Sequence, residues 1–148
     1  MFEIIIATHG SLSDGLKDSA KVIIGAVDNV HTLNLNPGDD VNKLNEEIIK
    51  YIDGFGRETG VLILTDLANA SPYNQALLAI NQLENEYQKN KYVISGVNLP
   101  VLIQAISDQL SEIKVEEAIS TIYREGVDAL TIWSMNDLSD EFEEDDDF

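Results

Sequence analysis

The chain of 148 residues contains no cysteine. That excludes disulfides and thiol chemistry and is compatible with the cytosol. Basic residues are also scarce, nine against 27 acids, for a formal charge of −18. Such a surface repels phosphate backbones, so nucleic acid is not an expected partner. No apolar run reaches the ~18 residues needed to cross a bilayer. The longest candidate, "VISGVNLPVLIQAI", is interrupted by Asn98, Pro100 and Gln104. The start of the chain lacks a charged n-region and a small-residue cleavage site, so "FEIIIA" is expected to be a core strand and not a signal peptide. Histidine occurs only twice, as His9 and His31.

What is present is the composition of an ordinary globular domain, 44% hydrophobic, followed by an acidic end. Residues 137–148, "DLSDEFEEDDDF", hold eight acids and no base, and the rest of the chain still carries −10 of the total. The expected organisation is one folded domain over residues 1–134 and an acidic, disordered, solubilising tail over 135–148.

Five short segments rich in Val, Ile and Leu have the character of strands: "FEIIIA" (2–7), "VHTLNL" (30–35), "VLILTD" (61–66), "YVISGV" (92–97) and "DALTIW" (128–133). The first and third are almost continuously apolar, as expected of central strands covered on both faces. Between them lie helical patterns. Leu16, Ala20, Ile23 and Ile24 share one face, opened by Ser11 or Ser13 and closed near Gly25. Val41, Leu44, Ile48 and Ile52 share another after the turn "NPGDD". "SPYNQALLAINQL" has Ser71 as the expected cap and Pro72 in the first helical position. "PVLIQAISDQL" and "VEEAISTIYREG" follow, with Gly126 expected to end the second. The order β-α-β-α-β-α-β-α-α-β predicts an α/β fold with a doubly wound, mostly parallel five-stranded sheet flanked by helices.

In such a sheet ligands collect beyond the carboxyl ends of the strands, where strand order reverses. If strands two and three lie on opposite sides of strand one, that point falls between strands one and three. His9 follows the first strand and Asp66 ends the third, with "LANAS" leading into the helix at Ser71. A carboxylate that accepts a hydrogen bond from one ring nitrogen fixes the tautomer and leaves the other nitrogen as a nucleophile. The start of the following helix suits a phosphoryl group or another anion. Thr8, Ser11 and Ser71 supply candidate hydroxyl donors, and no cation lies in the motif. His31, early in the second strand, lacks such company and is expected to be structural.

The segments "IIIATHGSLSDGL", "VLILTDLANASPYNQA" and "VISGVNLPVLIQAI" resemble the enzyme IIA proteins of the mannose (mannose/fructose/sorbose) family of the bacterial phosphoenolpyruvate-dependent sugar phosphotransferase system. The likeness runs from about residue 2 to 133. It implies that His9 is phosphorylated on Nε2 by the carrier HPr and passes the group to a IIB component, with membrane IIC and IID partners acting indirectly. Asp66 would orient the ring, and Ser71 would line the phosphoryl site. The resemblance also implies a cytoplasmic homodimer in which the last, antiparallel strand, here "DALTIW", crosses to the partner subunit. No cofactor or metal is expected. Where the family usually has two glycines before the Ser/Thr-Pro pair, this chain has Asn69 and Ala70. The acidic end, without an Ala/Pro-rich linker, leads to the expectation that IIB is a separate polypeptide.

Three other readings use the same residues. The phosphoryl-donor subunit of a dihydroxyacetone kinase shares the fold and the early histidine. A flavodoxin-like module would hold an anion or nucleotide in the same crevice without a nucleophile. A hydrolase would use Ser71, His9 and Asp66, although Ser71 precedes a proline and lies outside a G-x-S-x-G elbow.

Overall fold

The computed structural model describes residues 1–136. Most of the segment expected to be a disordered tail, from residue 137 on, lies outside the described residues. Ten elements follow in order. They are β1 (Glu3–His9), α1 (Leu12–Ile24), β2 (Val30–Leu35), α2 (Asn42–Phe55), β3 (Val61–Thr65), α3 (Ser71–Asn81), α4 (Asn85–Gln88), β4 (Lys91–Ser95), α5 (Leu99–Leu110) and α6 (Val115–Asp128). The four strands form one parallel sheet in the order β2-β1-β3-β4. The two most apolar strands therefore take the centre. Ile4, Ile5 and Ile6 of β1 and Leu62, Ile63 and Leu64 of β3 are fully buried, each worth about 1.5–3 kcal/mol of transfer free energy.

Alternation along the strands feeds two cores. Ile4, Ile6, Leu62 and Leu64 join Ala20, Leu102, Ile106 and Ile122 on the side of α1, α5 and α6. Ile5, Ala7, Ile63, Leu44, Ile48 and Ala76 pack on the side of α2 and α3. Each crossover places its helix against the face its apolar stripe requires.

The sheet has four strands among the described residues, not five. The expected antiparallel strand over 128–133 does not form within the single chain. Asp128 is still the last residue of α6, Ala129 occupies the cap, and the segment beyond lies exposed, with Leu130 at 91% and Trp133 at 79%. A strand exists only where a neighbour takes its N–H and C=O groups, and no described strand does so here. Exchange with a second subunit is not seen.

Two helix ends also differ from expectation. Gly126 does not end a helix; it lies inside α6. A Cβ there would meet Val101 Cγ2 at 2.2 Å, so the residue is glycine because α5 and α6 touch at that point. The cap of α3 is Ala70, in an extended conformation, which makes Ser71 the first helical residue and moves Pro72 one place in.

Candidate functional site

Because β2 and β3 flank β1 on opposite sides, the order reverses between β1 and β3. Their carboxyl ends bring together two residues 57 positions apart. Asp66 Oδ2 accepts hydrogen bonds from the His9 backbone N–H at 2.9 Å and from His9 Nδ1 at 2.8 Å. Its other oxygen accepts the Leu67 N–H at 2.9 Å. Burial pushes the Asp66 carboxyl up, but these N–H donors and the charge of the ring outweigh it and hold the group below the ordinary carboxylate range. An ionised carboxylate only accepts, so the Nδ1 hydrogen is fixed and Nε2 keeps its lone pair.

Both partners are held from behind. Gly10 N–H bonds Leu35 O at 2.8 Å and so extends the β1–β2 ladder past His9. Gly10 then turns the chain at φ +56°, a conformation open to glycine. On the other side, Gly96 N–H bonds Asp66 O and Val97 N–H bonds Thr65 O, both at 3.0 Å. The Asp66 side chain is 11% exposed and that of His9 is 46% exposed. The imidazole thus stands on an open surface above a fixed carboxylate. A cleft of about 340 Å³ lined by Asn34, Leu35, Gly38 and Lys43 lies at the adjoining end of β2, and His9 is not part of its wall.

The candidate hydroxyls separate by position. Thr8 is fully buried, and its Oγ1 accepts the Ser13 N–H at 2.9 Å, so it caps α1 and does not line the open surface. Ser11 occupies the cap position of α1 but makes no capping bond, because Thr8 has taken that role; its hydroxyl remains exposed. Ser71 is partly buried in the first turn of α3, which holds no acidic residue. The first turn of a helix leaves its amides without intrahelical partners, and Pro72 has no N–H to contribute. No lysine or arginine occurs in residues 1–16 or 61–76.

Asn69 and Ala70 divide the work of the turn before α3. Asn69 takes φ +64° and Ala70 stays extended at φ −90°. Asparagine tolerates the left-handed region where alanine does not, which explains how the turn closes without glycine. Asn74 Nδ2 donates to Asn69 O at 3.1 Å and ties the turn to the helix it opens. Asn98 caps α5 by accepting the Val101 N–H at 3.0 Å and donates to Gly126 O at 3.0 Å, so the "GVNLP" motif anchors α5 to α6. His31 is elsewhere. Its Nε2 meets Glu3 Oε2 at 2.9 Å, and its ring packs against both Tyr51 and Phe55, with centroids at 4.9 and 4.8 Å.

The sequence reading missed Asn34. Its side chain accepts from Ser13 Oγ and donates to Asp14 Oδ2 at 2.6 Å, joining β2 to the first turn of α1. The signal lies only in parallel register, which sets Thr8 opposite Asn34.

Comparison with known proteins finds relatives in sequence and in fold. The family model EIIA-man, described as PTS system fructose IIA component, matches residues 3–123. The mannose-specific EIIAB component of Escherichia coli (strain K12) is 29% identical over 130 residues, 86% of this chain and 39% of that protein. The chain thus spans about two fifths of that relative's length. The sorbose-specific EIIA component of Lacticaseibacillus casei is 27% identical over 128 residues, 80% of this chain and 88% of that one. Among solved structures, an EIIA component from Streptococcus agalactiae shares the fold with a TM-score of 0.80 at 24% identity, covering 89% and 97% of the two chains. The IIA protein associated with the fucose utilization operon of Streptococcus pneumoniae has a TM-score of 0.70 at 27% identity, covering 88% and 91%.

Proposed function

This chain belongs to the EIIA-man family of sugar phosphotransferase system components, and we propose on that footing that His9 carries a phosphoryl group from phospho-HPr to a IIB component. The observation that carries this reading is the single carboxylate oxygen, Asp66 Oδ2, that binds both the backbone N–H and the Nδ1 of His9. It aligns the ring for attack through Nε2 before any partner arrives, so little orientation entropy remains to be lost in the complex.

In the reaction, the Nε2 lone pair attacks phosphorus in line with the donor's P–N bond. A new P–N bond forms as the old one breaks, and the donor imidazole leaves with that electron pair. The phosphorylated ring keeps its hydrogen on Nδ1 and gains positive character, which the Asp66 carboxylate offsets. Ser11, Ser71 and the first turn of α3 are the groups this reading assigns to the phosphoryl oxygens. The lack of Lys and Arg in the two segments that carry these residues has a purpose. A carrier must release what it accepts, and a guanidinium clamp would hold the product too tightly for onward transfer. The half-exposed ring on an open surface suits a partner protein's histidine, and the acidic chain favours a partner with a basic face.

No helix among the described residues is long and apolar enough to cross a membrane, in keeping with a cytoplasmic protein that meets its transporter through protein partners. The exposed Leu130, Ile132, Trp133 and Met135 and the open outer edge of β4 support a homodimer in which this segment pairs with the partner's β4.

The test is incubation with phosphoenolpyruvate, enzyme I and HPr. The expected product carries acid-labile, base-stable phosphate, and His9→Ala abolishes it. Label that persists in the His9→Ala protein overturns the assignment.

A further inference from the structure

Asp14 places a carboxylate in the first turn of α1, five residues after the proposed phosphoryl acceptor. An acid so close to an incoming phosphoryl group would oppose it unless its side chain were turned away. Asn34 Nδ2 donates to Asp14 Oδ2 at 2.6 Å, a bond that helps hold the Asp14 carboxyl below the ordinary carboxylate range. Asn34 and Thr32 pair with Thr8 and Ile6 of β1, whereas His9 pairs with Leu35. Asn34 thus lies one residue, about 3.3 Å, back along the sheet from the level of His9. The Asn34 side chain also accepts from Ser13 Oγ, and Ser13 is fully buried with its N–H on Thr8. One amide therefore engages both first-turn residues and holds them toward the body of the sheet.

We propose that Asn34 is a positioning residue for phosphoryl transfer, holding the Asp14 carboxylate off the path to His9. The proposal rests on the phosphocarrier reading. Asp14 at the start of α1 favours the helix through its dipole, and Asn34 permits that gain while keeping the negative charge away from the reacting centre. Without Asn34, the exposed Asp14 side chain is released to swing toward the open surface.

The experiment measures phosphoryl transfer from phospho-HPr to wild type, Asn34→Ala, Asp14→Asn and the double variant, with folding checked by circular dichroism. Asn34→Ala is expected to slow transfer about five- to tenfold at low salt, the size of a like-charge effect near a surface. Asp14→Asn alone should match wild type or exceed it slightly. The double variant should return to within about twofold of Asp14→Asn, and added salt should shrink the Asn34→Ala deficit. If Asn34→Ala fails to fold, Asn34→Asp, which keeps an acceptor for Ser13 but repels Asp14, reads the same outcome. A double variant as slow as Asn34→Ala, or an Asn34→Ala protein as fast as wild type, overturns the proposal. Wild-type labelling through His9 in the same run separates the two claims: its absence sinks the phosphocarrier reading, and its presence leaves Asn34 alone at stake.

Discussion

His9 with Asp66 and His31 with Glu3 are the same chemical pair twice over, closed at 2.8 and 2.9 Å in one sheet. Their surroundings differ in every respect that matters for chemistry. His31 stands near the start of β2, its side chain 23% exposed, with Tyr51 and Phe55 against its ring. Tyr51 and Phe55 of α2 pack against that ring, and its hydrogen bond to Glu3 joins β2 to β1. His9 stands at a carboxyl end, where the chain leaves the sheet and helix starts converge. Its carboxylate partner is fixed by Leu67 N–H and by the His9 backbone as well as by the ring. An imidazole beside a carboxylate is thus not a site in itself. What sets His9 apart is that Asp66 engages one ring nitrogen while the side chain stays half-exposed.

Breaking each pair in turn should separate these roles. Asp66→Ala removes the acceptor that sets the tautomer, and phosphoryl transfer is expected to fall about 10²-fold, within the range for loss of a positioned acid–base partner. His31→Ala should leave the transfer rate unchanged and cost about 1–3 kcal/mol of stability, read as a lower urea midpoint, because it strips away a ring packed against two aromatics. A large rate loss in His31→Ala would erase the distinction between the two pairs.

A smaller effect sharpens the comparison through a third carboxyl. Asp108 is buried with Oδ1 bonded to Gln104 and Oδ2 without a partner. Burial raises it, and the Gln104 amide offsets this only in part. Asp66 and Asp108 should therefore respond oppositely to pH. The stability that Asp66 contributes is fully present above the ordinary carboxylate range and is lost as pH falls through its lowered value. Asp108 costs stability increasingly as pH rises from the ordinary carboxylate range through its raised value. In urea titrations, Asp66→Asn should be less stable than wild type near neutrality, with a gap that closes in acid. Asp108→Asn should be more stable than wild type, with a gap that opens from acid toward neutral pH.

Much of this molecule was legible in the residues because its two central strands are almost wholly apolar and its helices are cleanly striped. The apolar runs at 4–7 and 61–64 require burial on both faces, and that requirement puts β1 and β3 side by side and their ends together. Legibility stopped where a position depends on contact between distant segments. "DALTIW" has the composition of a strand, but composition does not provide a neighbour, and Asp128 remains in α6. Gly126 resembled a helix end and instead marks the approach of Val101. Ser11 looked like the cap of α1, yet Thr8 reaches across from the strand and supplies the capping oxygen. Asn34 carried no local signal, since its role comes from lying opposite Thr8 across the parallel ladder.

Nitrogen and phosphorus magnetic resonance of the phosphorylated protein, labelled with ¹⁵N in histidine, examines the role of Asp66 at its root. The expected spectrum shows phosphorus coupled to Nε2 of His9, a hydrogen retained on Nδ1 and an unmodified His31. Phosphorus on Nδ1 of His9, or on His31, would contradict it.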